Sequence, residues 1–192
     1  MLYSPEYQKQ QEKLHNQEEF YGVKAGEYGE IISMMVDRME IDHLLDYGCG
    51  KAQSLTETLK PNRPLKYQAY DIGVPEYADP PIPADMVVCI DVLEHIEPEY
   101  LENVLDHLEE LTEVILFATI HTWPAGKTLD DGRNAHLTQQ PYSWWLPKLW
   151  ERFEIQSFQQ LSFFEFAVIA HNQNLSLEKT QALQDKEGLI LE

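Results

Sequence analysis

The run Asp85-Met86-Val87-Val88-Cys89-Ile90 constrains this chain most, because five successive side chains in it are apolar. A strand with one wet face alternates apolar and polar residues. An uninterrupted, β-branched run needs cover on both faces, as the inner strands of a parallel sheet have. Residues 43–47 and 113–119 read as similar strands, and residues 66–70 as a further strand ending at Asp71. Helical periodicity fills the gaps between them. Ile31, Ile32, Met35, Val36 and Met39 share one face over residues 30–39, and Leu101, Val104, Leu105, Leu108 and Leu111 share one over residues 98–111. A helix over residues 52–59 is stopped by Pro61 and Pro64, and a Trp-rich helix spans residues 142–150. Strands alternating with helices predict an α/β chain folded as a three-layer sandwich with a mostly parallel sheet. Residues 154–158 and 163–170 are joined too tightly for a crossover, so they form a C-terminal antiparallel hairpin.

The remaining segments read as loops or solvated structure. Residues 72–84 hold Pro75, Pro80, Pro81 and Pro83 and are loop. Residues 6–19 are mostly Gln, Glu, Lys and Asn, which predicts a solvated helix with few core contacts, ended by Phe20-Tyr21-Gly22. The tail after Asn172 is polar. There is no internal repeat and no sign of a second domain.

Charge narrows the partners. Fourteen Lys and Arg stand against 33 Asp and Glu, a formal net charge of −19. Nucleic-acid affinity comes largely from cationic side chains displacing counterions, so this balance argues against a polyanionic partner. Cys49 and Cys89 are the only cysteines, and both sit in apolar contexts that suit free thiols in a reducing compartment. The first residues lack a basic region and an apolar run, and no apolar stretch approaches bilayer-spanning length. A cytoplasmic protein without a membrane partner is the expectation, and the sequence leaves the oligomeric state open.

Chemistry concentrates where strands end. Gly48-Cys49-Gly50 follows a strand and precedes a helix, an arrangement that lets backbone approach a ligand closely. Asp46 sits just before it, where a carboxylate suits a ligand ammonium. Asp71 ends the next strand, where a carboxylate can accept both hydroxyls of a ribose. Asp91 ends the strand after that, followed by Val92-Leu93-Glu94-His95. All three acids fall at the carboxyl ends of predicted strands, the side on which open α/β sheets bind ligands. A nicotinamide-dinucleotide reading fits less well, because the position its fingerprint reserves for glycine is Gln53.

These residues resemble a class I S-adenosylmethionine-dependent methyltransferase. The likeness rests on Leu44-Leu45-Asp46-Tyr47-Gly48-Cys49-Gly50, on Tyr70-Asp71, and on the run from Asp85 to Ile96. That last run is similar to the ubiquinone- and menaquinone-type small-molecule methyltransferases. The resemblance implies a Rossmann-like sheet and S-adenosyl-L-methionine as cofactor. It implies that Asp46, Gly48 and Gly50 hold the methionine part, Asp71 the ribose, and Asp91 the methionine side through its backbone, with Leu93 packed nearby. Glu94 and His95 would open the following helix. It divides the chain into an N-terminal helical and lid segment (residues 1–30), a methyltransferase domain (residues 31–171) and a polar tail (residues 172–192). The family's frequent third glycine is Ala52 here. The span from Asp71 to Asp85 is too short for the family's usual helix and strand, so its adenine-contacting acid has no clear counterpart, and Asp79 is the candidate substitute.

The acceptor side falls to residues 121–141 and the N-terminal segment. His121 and His136 are the candidate catalytic bases, since imidazole titrates near neutral pH. Trp123, Tyr142, Trp144, Trp145 and Trp150 are candidates for an aromatic wall, with Trp145 and Trp150 expected in the core, and Phe20 and Tyr21 for a lid. His95 is expected to pack at a helix start, and His15, His43, His107 and His171 to have no partners. No Cys/His cluster has metal-ligand spacing, so no metal is expected. The implied activity is methylation of a small-molecule oxygen or nitrogen acceptor. The alternatives are a nucleic-acid or protein methyltransferase of the same fold, or a catalytically silent cofactor-binding module.

Overall fold

A computed structural model describes residues 1–17 and 21–174. In chain order the elements are α1 (Pro5–Gln17), α2 (Gly29–Met39), β1 (His43–Tyr47), α3 (Gln53–Thr58), β2 (Lys66–Tyr70), β3 (Ala84–Ile90), α4 (Leu101–Leu111), β4 (Thr112–His121), α5 (Tyr142–Trp150), β5 (Phe153–Gln160) and β6 (Glu165–Asn172). Short 3-10 turns add Lys24–Tyr28, Pro75–Tyr77 and Leu93–His95.

The six strands form one sheet in the order β2-β1-β3-β4-β6-β5. β1 pairs in parallel with β2 and β3, and β3 with β4, while β6 runs antiparallel to both β4 and β5. The apolar run behaves as its composition requires. In β3, Val87 and Cys89 face one core layer with α4 and α5, whereas Met86, Val88 and Ile90 face the other with α2 and α3. β4 divides likewise, with Leu116, Ala118 and Ile120 on the first side and Ile115 and Phe117 on the second. The helix faces match: Leu101, Val104, Leu105, Leu108 and Leu111 of α4 are all buried, each contributing about 1.5–3 kcal/mol of apolar burial. The result is the three-layer sandwich.

The proline-bearing segment after Asp71 forms only the 3-10 turn Pro75–Tyr77 before β3 begins, so β2 is an edge of the sheet. At the other edge β5 ends in the exposed, polar Ser157, Gln159 and Gln160.

Two expectations are corrected here. α1 is not a solvated helix with few contacts: Tyr7, Gln11 and His15 are buried along one face. Tyr7 joins Leu129 and Ala135 in a third small core between α1 and the insertion over residues 121–141. Trp150 is exposed rather than in the core, unlike Trp145, which is fully buried.

Candidate functional site

The site is built at the carboxyl ends of β1, β2 and β3. Gly48 and Gly50 take φ values of +77° and +54°. Their turn is pinned to β2, with Gly48 N donating to the Tyr70 carbonyl at 2.7 Å and Gly50 N donating to Asp71 Oδ2 at 2.8 Å. A Cβ on Gly48 would lie 2.3 Å from Val92 Cγ2, and one on Gly50 would lie 2.3 Å from the Gly22 carbonyl oxygen. Glycine is needed at both positions for conformation and for space. Ala52, at the position of the third glycine, also has a positive φ of +55°.

Asp71 is fixed from two sides, its second oxygen accepting from Gly73 N at 2.7 Å. Burial raises its pKa, while the nearby His15 and the two backbone N–H groups pull it down. His15 Nε2 lies 3.8 Å from Asp71 Oδ1, and burial lowers the pKa of this histidine. Asp91, directly after β3, has φ +59°, a strained conformation for a residue with a side chain. Gly48, Gly50, Asp71, Asp91, Gln11 and His15 line one cavity, which contains about 790 Å³ of empty space including its mouth. Gln11 Nε2 and His15 Nδ1 are buried without a hydrogen-bond partner among the described residues.

α1 lies across this cavity and is tied down along its length. Ser4 N and Oγ donate to the two carboxylate oxygens of Glu97, at 2.9 Å each, and the Tyr7 hydroxyl donates to the His95 carbonyl at 2.8 Å. Farther along, Lys13 pairs with Asp130 at 2.6 Å. Tyr21 follows, its hydroxyl donating to Gln11 Oε1 at 2.9 Å. Phe20, the other proposed lid residue, lies outside the described residues.

Two of the expected cofactor residues do not line the cavity. Asp46 is buried within the sheet, accepts from the Tyr67 hydroxyl at 2.7 Å, and has its pKa pushed up to about 7, chiefly by burial. Leu93 is fully buried in the core beside α4. The 3-10 turn Leu93–His95 replaces the helix start expected at Glu94 and His95. Glu94 is fully buried and its pKa is raised, first by burial and then by Asp91. One of its oxygens accepts from His121 N, and the other has no hydrogen-bond partner among the described residues.

The histidines cluster beside this turn. The rings of His95 and His136 meet edge-on with centroids 4.6 Å apart, and those of His136 and His121 lie 5.1 Å apart. Burial lowers the His95 pKa to about 4 and lowers that of His136. His121 is partly exposed. The aromatic residues, by contrast, do not form one wall. Trp123 packs on Phe164, Tyr142 on Phe158 and Trp144 on Trp145, and none of these lines the cavity.

Contrary to the expectation from the sequence, His15, His107 and His171 have partners, His171 Nδ1 lying 3.4 Å from the Val114 carbonyl oxygen. His15 faces Asp71, and His107 Nδ1 lies 3.1 Å from the Tyr47 hydroxyl. The sequence did carry one signal for the first of these. Tyr7, Gln11 and His15 recur every fourth residue, a single face on an otherwise charged helix.

The sheet order, the glycine turn after β1 and the terminal antiparallel pair define the fold of the class I S-adenosylmethionine-dependent methyltransferases. No protein-family model and no curated protein matches the sequence. Solved structures match over most of the chain. The 1,6-didemethyltoxoflavin-N1-methyltransferase of Burkholderia thailandensis, bound to 1,6-didemethyltoxoflavin and S-adenosylhomocysteine, is 14% identical with a TM-score of 0.65, over 91% of this chain and 92% of that one. The DhpI–SAH complex is 12% identical with a TM-score of 0.58, over 88% and 94%. The 16S rRNA methylase ArmA is 13% identical with a TM-score of 0.51, over 84% and 90%. At these identities the likeness is one of fold. Among the described residues no helix is long and apolar enough to cross a membrane.

Proposed function

We propose that the chain is an S-adenosylmethionine-dependent methyltransferase acting on a small-molecule oxygen or nitrogen acceptor. The supporting observation is one cavity in which the Gly48–Gly50 turn and the fixed Asp71 carboxylate meet two buried polar atoms without partners, Gln11 Nε2 and His15 Nδ1. Burying such atoms unpaired is costly, so a polar ligand that bonds them stabilises the site. In this reading Gly48, Gly50 and the Asp91 backbone hold the methionine part and Asp71 the ribose. Asp46, buried in β1, and Leu93, in the core beside α4, stay out of contact with the cofactor. When bound, the cofactor supplies an electrophilic methyl group on a sulfonium.

The chain's own part is to position the acceptor, exclude water and take up its proton. Proton removal falls to the His121–His136 pair. Burial keeps His136 neutral at pH 7, and a neutral imidazole has the lone pair a base needs. A small acceptor suits a site over which α1 is tied by Ser4, Tyr7 and Lys13. The charge of −19 argues against RNA, although an RNA methylase shares the fold.

Calorimetric titration tests the reading. S-adenosylhomocysteine should bind one to one, and Asp71→Ala should weaken binding at least roughly tenfold, the scale of a lost charged hydrogen bond. Absence of binding by the parent chain, or equal binding by Asp71→Ala, refutes it. Radiolabelled methyl transfer to a panel of phenols, hydroxy acids and amines then sorts oxygen from nitrogen acceptors.

A further inference from the structure

Beside the cavity, three side chains from two distant segments converge. Asp91, His95 and His136 each bring one ligand-type atom to within 4.8 Å of the others. The backbone fixes the tautomer of both rings. His95 Nδ1 lies 2.9 Å from the Ala135 carbonyl oxygen, and His136 Nδ1 lies 2.6 Å from that of Trp123. A carbonyl oxygen only accepts, so each Nδ1 carries the proton and each Nε2 keeps its lone pair. Metal-ligating histidines are held in this manner, one ring nitrogen donating to a carbonyl while the other faces the ion. The fully buried Glu94 carboxyl lies against Asp91, which with burial raises its pKa.

We propose that Asp91, His95 and His136 form a binding site for a divalent first-row transition cation. Two imidazoles with a carboxylate suit zinc, manganese or iron(II) better than calcium or magnesium, which prefer oxygen alone. A cation about 2.1 Å from each donor needs donors ~3–4 Å apart, so a 4.8 Å cluster closes with small side-chain rotations. No local pattern signals this site, because His95 and His136 lie 41 positions apart along the chain.

Asp91 and His95 also line the cavity assigned above to the cofactor. A cation there would acidify a bound hydroxyl and so favour an oxygen acceptor, and with His136 held as a ligand, proton removal would fall to His121 alone. That consequence rests on the methyl-transfer reading; the cation site does not.

The test uses the full chain stripped of metal by chelation and titrated with Co²⁺, followed by its visible absorption. One equivalent should bind, Zn²⁺ should displace it, and His136→Gln and Asp91→Asn should each weaken binding at least roughly tenfold. Imidazole NMR of the parent chain needs no variant to fold: Co²⁺ should shift or broaden His95 and His136 while His43 and His171 stay in place. No stoichiometric binding, binding unchanged in both variants, or perturbation of other histidines instead overturns the proposal. S-adenosylhomocysteine binding measured on the same metal-free chain separates a failure here from a failure of the methyltransferase reading.

Discussion

Asp46 offers a measurable consequence of placing a carboxyl group inside the sheet. It is 1% exposed, and its pKa rises from 3.8 to about 7, first through burial, against the opposing hydrogen bond from Tyr67 and with a smaller upward push from Asp71. In the unfolded chain the same group ionises near pH 4. Between these two values the unfolded state has lost the proton and the folded state has kept it. The stability contributed by the neutral group is therefore whole below about pH 4 and falls as pH rises towards about 7. Asn cannot ionise, and its side-chain oxygen can still accept from Tyr67. The sequence pI of 4.6 makes strongly acid solutions impractical, because a chain near zero net charge precipitates. From pH 5.5 to pH 8 the usable window is roughly 1.5 pH units, or about 2 kcal/mol at ~1.4 kcal/mol per unit. Asp46→Asn should therefore gain about 2 kcal/mol on its parent between pH 5.5 and pH 8, with the variant the more stable at pH 8. Urea unfolding followed by tryptophan fluorescence at both pH values measures it. A stability difference between variant and parent that is the same at both values would show that Asp46 ionises normally in the fold.

Two further predictions concern the closure of α1 over the site. Gly50→Ala puts a Cβ 2.3 Å from the Gly22 carbonyl oxygen and costs a further ~1 kcal/mol for its positive φ. Limited proteolysis should then cut ahead of Lys24 faster while far-UV circular dichroism stays the same; an unchanged digestion rate counts against the contact. Glu97→Gln removes the charge that accepts from Ser4 N and Oγ, so it should cost about 1–2 kcal/mol and speed amide exchange in residues 5–17 above all. Uniform loss of protection across the sheet would mean that Glu97 supports the core instead of α1.

Which parts of the protein were legible in advance follows from the range of the interactions involved. β1 and β2 match the expected residues because each is closed within its own few positions, β1 by the Gly48–Gly50 turn and β2 by Asp71 and the proline-bearing loop after it. α4 was equally plain, although it begins at Leu101, three residues later than expected. The acids and glycines at the strand ends were readable for the same reason, since chain direction alone puts them on one side of a parallel sheet. Asp46 shows the limit: its position at the end of β1 was right, yet alternation along the strand turns its carboxyl group towards Tyr67 and away from the cavity.

What the sequence determined by itself was thus the sandwich, the parallel sheet with its antiparallel end, and the turn that ends at Gly50, all fixed by the periodicity of neighbouring residues. Only the tertiary structure decided the rest. It laid a hydrophilic helix across the cavity on a face of three residues, set His15 against Asp71, and brought His136 to His95 and Asp91. Those contacts join segments far apart in the chain, and they depend on where the loops return after the core has packed. No local pattern encodes that, because polar side chains in a loop look alike until the sheet brings them together.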